Sequence, residues 1–180
     1  MGFMRAAQAS SPSLDTGLIH TQLDHNEWAI RKLIDAARTL SHEEFTRAHD
    51  IGPRPGSLQA LISHLIAGMR FIADAARGIE YRLPDDFESL SLHPDGLSAL
   101  LADADSAVRS ALDDYAENRD GAAIVWQADG TVLDLAAAVT QLVVHGAHHR
   151  AQCIYILDRL GRETPHLWPI TLAAERDAKA

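Results

Sequence analysis

Residues 142–152 read "LVVHGAHHRAQ": Leu142 to Gln152. Three histidines, His145, His148 and His149, stand in a segment from about Val132 to Leu160 that is nearly apolar until it reaches them. At about 100° per residue, Ala138, Leu142, His145, His149, Gln152 and Ile156 fall on one stripe. The period is helical, and the stripe is the natural core-facing side. His145 and His149, four apart, project together. His148 points roughly 80 to 100° away. Gly161 is placed as the C′ residue of this helix.

Working outward, three more segments share the helical period. About Leu18 to Leu40 carries Leu23, Trp28, Ile30, Leu33, Ile34, Ala37 and Leu40. "SHEE" follows, with Ser41 and Glu44 spaced as a capping box for a short turn of helix. "DIGPRPGS" is a loop by its Pro and Gly content. Ser57 is the expected N-cap of the second helix, which Gly78 ends. "IEYRLPDDFESLSLHPDG" is a long polar connection, and such loops are often functional. The third helix, "PDGLSALLADADSAVRSALDDYAENR", buries Leu97, Leu100, Leu101, Ala104, Val108, Leu112 and Tyr115. "GAAIVWQADGT" breaks the period. It suggests a short extended piece around residues 124–126 and a turn at "ADG". Four such helices imply an all-α four-helix bundle. The expected organisation is a flexible N-terminal tail over 1–16, one bundle domain over 17–170 and a C-terminal tail over 171–180.

The chain has 180 residues, enough for one domain with a substantial core. Its 25 acids against 16 bases give a net charge of −9, which argues against nucleic acid and anionic membranes as partners. No apolar run reaches the roughly 20 residues of a membrane span. A single cysteine, Cys153, excludes an internal disulfide and makes a reducing cytoplasm the expected location. The N-terminal stretch has no signal-peptide core.

The histidine pair asks for a third ligand from a facing helix. His64, in "LQALISHLIAGM", shares a side with Leu61, Gly68, Phe71 and Ile72 and is the best candidate. The expected metal site is therefore His64, His145 and His149. Three imidazoles leave a position for water or substrate, as catalytic sites do. The alternative is a set of core histidines satisfied by protein groups. His148 is read as a surface or neighbouring residue, and Cys153 as core rather than ligand. Arg150 either pairs with an acid or reaches the mouth of a cleft. His20, His25, His42, His49, His93 and His166 are expected in solvent. "HEEFT" fails the HExxH pattern because Thr46 replaces the second histidine. Asp24, His25 and Glu27 are candidates for groups supporting the site, against a solvated helix face. No Gly-rich phosphate loop, GxSxG or CxxC occurs.

These motifs resemble the DinB/YfiT-like family of metalloenzymes, over most of residues 18–170. "LDHNEWAIRKLIDAARTLSHEEF" is similar to the family's first helix, with His25 and Trp28 in its characteristic stretch. "GSLQALISHLIAGMRFI" is similar to the segment carrying one metal histidine, matching His64. "VVHGAHHRAQCIYILDRLG" resembles the "H-x-x-x-H-R-x-Q" signature, matching His145, His149, Arg150 and Gln152. Leu167–Trp168 resembles the aromatic close of the family's tail. Ile30 departs from the pattern, standing where many members have Asn.

The resemblance implies an up-down-down-up four-helix bundle, often a homodimer. It also implies a divalent metal, zinc or nickel, held by a histidine triad. Relatives include thiol-dependent transferases and isomerases that use low-molecular-weight thiols. The leading expectation is thus a metal-dependent S-transferase acting on a small molecule. A metal-dependent hydrolase, or a non-catalytic metal-binding stress-response protein, is the alternative.

Overall fold

The computed structural model describes residues 16–52, 56–117, 124–125, 132–133 and 135–178. In chain order the elements are α1 (Thr16–Ala37), α2 (His42–Thr46), α3 (Leu58–Ala76), α4 (Phe87–Ser91), α5 (Pro94–Glu117), β1 (Ile124–Val125), β2 (Val132–Leu133), α6 (Leu135–Arg159) and α7 (Pro169–Asp177). Residues 1–15 of the expected N-terminal tail, the "ADG" turn and Trp126 lie outside the described residues.

The helix ends follow from local chemistry. The capping box at α2 forms as expected: Ser41 Oγ accepts from the Glu44 N–H (3.3 Å), and Glu44 Oε2 accepts from the Ser41 N–H (2.8 Å). Ser57 caps α3 through the Ala60 N–H at 3.0 Å. Gly78 and Gly161 adopt φ +66° and +65°. This left-handed turn lets Ile79 N–H reach Asp74 O and Arg162 N–H reach Leu157 O, both at 3.0 Å, closing α3 and α6 as Schellman motifs.

Ion pairs and side-chain hydrogen bonds reveal the helix directions. Along α3 and α5, Arg70 meets Asp103 (3.1 Å) and Arg77 meets Asp114 (3.6 Å), so these helices run parallel. Between α1 and α5, Arg38 meets Ser98 (3.0 Å) and Asp24 meets Arg109 (2.9 Å), so they run antiparallel. Between α1 and α6, Asn26 meets Arg150 (2.6 Å), and beyond their ends Glu44 meets Arg162 (2.8 Å), so they run parallel. The order is up-down-down-up. Each of α1 and α3 packs against both α5 and α6, while α1 and α3 sit on a diagonal. This accounts for the long connection 77–93. A 19-residue helix is about 28 Å long, and a parallel neighbour can begin only after the chain has returned that distance.

The core is the set of stripes read from the periodicity. Leu23, Ile30, Leu33, Ile34, Leu97, Leu100, Leu101, Ala104, Val108, Leu112, Ala138, Leu142 and Ile156 are all buried. Each large aliphatic among them contributes about 2 kcal/mol through burial. The side chain of Tyr115 lies outside the described residues.

Three expectations need correction. The fourth long helix begins at Leu135, because Val132 and Leu133 pair antiparallel with Val125 and Ile124 as a short ribbon. The first ends at Ala37, where Thr39 Oγ1 donates to the Ala36 carbonyl (2.8 Å) and the chain tightens into turns. Residues 171–177, expected as tail, belong to α7. Trp28 Nε1 donates to Glu175 (3.1 Å), Lys32 pairs with Glu175 (2.7 Å) and Arg176 with Asp24 (2.8 Å), which fastens α7 to α1. Pro169 at its first turn favours helix rather than ending one. Among the described residues, no helix is long and apolar enough to cross a membrane.

Candidate metal centre

Helix α6 buries one face and carries a different polar group on each flank. The flank toward α3 holds His145 and His149, both half-buried. Across from them α3 presents His64. The three rings pack edge to face, with centroids 4.4 to 5.0 Å apart. His145 Nε2 lies 3.2 Å from His64 Nε2 and 3.1 Å from His149 Nε2. The group is one that could hold a metal ion. Zinc–imidazole bonds of about 2.0–2.1 Å at tetrahedral angles put ligand nitrogens about 3.3 Å apart. Both separations from His145 are within a few tenths of an ångström of that, and the ligand nitrogens of all three lie within 4.8 Å of one another, so the residues present fit an ion.

One nitrogen's protonation state can be argued from its partners. Gln152 Nε2 donates to the Ile51 carbonyl at 3.0 Å, and a carbonyl can only accept. The amide oxygen of Gln152 therefore faces His149 Nδ1, 2.6 Å away, and Nδ1 carries the proton. The lone pair of His149 is left on Nε2, directed at the other two rings. Gly52, at φ +136°, makes the turn that follows Ile51.

Burial, reinforced by His149, His64 and His148, pushes the His145 pKa down to about 4. Burial and His149 lower His64 as well. At neutral pH both rings are neutral, the form a metal needs. Its company of Leu61, Gly68, Phe71 and Ile72 predicts that His64 faces inward or nearly so. It is instead exposed at the edge of the α3 apolar stripe, so the cluster opens to solvent. Leu61, Leu65, Met69 and Ile72 occupy the centre of that stripe and leave His64 the rim.

The remaining candidates divide clearly. His148 is exposed, its ring 5.1 Å from that of His149 and outside the group. Cys153 is fully buried in the core, and burial raises its thiol pKa. Asp24 pairs with Arg109 and Arg176, which together outweigh the upward push of burial and lower its carboxyl. Glu27 pairs with Arg31. His25 Nε2–H donates to the Leu167 carbonyl, 2.8 Å away. None of these three joins the cluster. His42, His93 and His166 are exposed as expected, and His20 is partly exposed beside Asp113. His25 and His49 are half-buried rather than solvated, because the 164–169 segment and the 49–56 loop fold over them.

On the other flank of α6, toward α1, stands Arg150. It is 5% exposed, and its Nη1 donates to Asn26 Oδ1 at 2.6 Å. Asn26 was missed in the sequence, although it is a polar residue three after Leu23 and four before Ile30 on the buried stripe. Gly146 makes room for the pair: a Cβ there would lie 2.7 Å from Arg150 Nη1 and 3.0 Å from Asn26 Oδ1. The supporting role of Gln152 was also missed, though its i, i+3 spacing from His149 puts both on one face.

No curated protein sequence matches this chain. A family model does match, that of the DinB family, over residues 13–175. The match spans all four bundle helices and every histidine of the cluster, and the chain belongs to the DinB family.

Proposed function

We propose that the protein is a divalent-metal-dependent enzyme in which His64, His145 and His149 hold the ion through Nε2. The observation that carries this is the convergence of the three Nε2 atoms at 3.1 and 3.2 Å from two helices. Zinc and nickel both suit imidazole donors. Three neutral ligands leave coordination positions free, and the exposed rim at His64 gives a small molecule access to them. When bound there, the ion would lower the pKa of a low-molecular-weight thiol and so supply a thiolate for transfer to a small electrophile. His149 is held in its productive tautomer by Gln152, and His145 is kept unprotonated by burial.

Thiol-dependent transfer is favoured over hydrolysis by one observation. No carboxylate joins the cluster among the described residues, and Asp24 and Glu27 are committed to arginines. A thiol, with a pKa of about 8.5, ionises at neutral pH after a small shift, whereas water, at about 15.7, needs a far larger one and gains more from a neighbouring carboxylate. We further propose a homodimer built on the outward face of α6, where Val144 and Tyr155 are 63% and 47% exposed.

The test is elemental analysis of the purified protein beside His64→Ala and His145→Ala, followed by thiol titration of the nickel-loaded form. One ion per wild-type chain, lost in both variants, and a thiolate-to-metal absorption band are expected. Absence of stoichiometric metal, or full metal in His64→Ala, overturns the triad. Metal without a thiolate band makes the protein a metal binder rather than a transferase.

A further inference from the structure

A cleft of about 640 Å³ lies on the α1 flank of α6, away from the histidine cluster. It is bounded by α1, α6 and the strap of residues 164–169, which His25 ties down through the Leu167 carbonyl. The walls are mostly apolar, with Val143, Ala147 and Ile154 contributed by α6. The volume falls in the range of small-molecule sites.

Arg150 also lines this cleft. A guanidinium keeps its proton and carries five donors in a planar fork. Here it is 5% exposed, yet its side-chain partner is the neutral amide of Asn26, and no ion pair to it occurs among the described residues. Beside it Asn26, 1% exposed, has an Nδ2 donor with no partner. A buried cation without a counter-charge is costly, and an anion entering the cleft would relieve it. A single guanidinium fork fits one carboxylate, while the apolar walls would be wasted on an inorganic anion.

We infer that this cleft binds a small organic carboxylate, with its charged head on Arg150 and its apolar body against Val143, Ala147 and Ile154. The inference does not depend on what the histidines hold.

Calorimetric titration of the purified protein with octanoate, and with 1-octanol as its uncharged counterpart, tests it. Saturable one-to-one binding of octanoate is expected, with octanol weaker by at least about tenfold. Arg150→Gln should abolish that preference. Ala147→Phe, at an exposed position facing the cleft, should block both ligands while circular dichroism is unchanged. His145→Ala should leave octanoate binding as in wild type. Equal binding of the two ligands, no saturable binding of octanoate at millimolar concentration, or binding that survives Ala147→Phe overturns the inference. So does loss of binding in His145→Ala, which would put the carboxylate at the histidines. Should Arg150→Gln fail to fold, the octanoate–octanol comparison and Ala147→Phe still decide.

Discussion

Gln152 joins His149 to Ile51: its amide oxygen sits 2.6 Å from His149 Nδ1 and its amide nitrogen 3.0 Å from the Ile51 carbonyl. One side chain thus fixes an imidazole tautomer and anchors the loop after α2. Removing such a partner from a metal-bound histidine typically costs 10- to 100-fold in affinity. Gln152→Ala should therefore lower metal affinity by about that factor, measured by competition with a chromophoric chelator. Unchanged affinity would mean the ring is oriented by something else.

Two glycines should respond in opposite directions to alanine. In α6, the Cβ of Gly146→Ala meets Arg150 Nη1 at 2.7 Å, and Arg150 is buried and bonded to Asn26. Overpacking of about 1–3 kcal/mol exceeds the helix-propensity gain of about 1 kcal/mol, so a net loss is expected. In α3, a Cβ at Gly68 meets nothing within 4 Å. Gly68→Ala should gain up to about 1 kcal/mol. Urea unfolding of the two variants checks both signs.

Glu44 links α2 to the end of α6. The Ser41 N–H, Arg162 and the Ser41 hydroxyl together hold its carboxyl down to about 2, from 4.5. The folded value is below the unfolded one, so ionised Glu44 stabilises the fold fully above about pH 4.5. That contribution is lost as pH falls toward 2. Wild type should exceed Glu44→Gln in denaturation midpoint at neutral pH, and the gap should close between pH 4.5 and 2. A gap independent of pH would show that the charge is not what matters.

Cys153 should be chemically silent in the folded protein. It is fully buried, and burial raises its pKa, while Arg150 opposes this only in part. A thiol-reactive disulfide reagent should label it only on unfolding, with a rate in native buffer far below that in urea. Labelling in native buffer as fast as a free thiol would contradict this placement.

Much of the architecture was present in local sequence. The stripes Leu97–Leu101–Ala104–Val108 and Ala138–Leu142–Ile156 are buried as their period requires, and Ser41, Ser57, Gly78 and Gly161 cap the helices. Helix α7 escaped notice because its stability lies in Glu175 and Arg176 reaching Trp28, Lys32 and Asp24, some 150 residues away. Val132 and Leu133 escaped because a short apolar pair suits helix or strand until a partner segment is known.

The sequence by itself determined that His145 and His149 share a face, since a four-residue spacing on a helix allows nothing else. It also determined that Cys153 and the apolar stripes turn inward, because the hydrophobic effect acts on composition and period. Only the tertiary structure decided that His64 meets that pair, from a position 81 residues away at the rim of α3. It alone decided that Gln152 holds His149 and that Arg150 faces a cleft beside a neutral amide instead of an acid. These are relations between helices, and local periodicity carries no information about which flank of one helix lies against another.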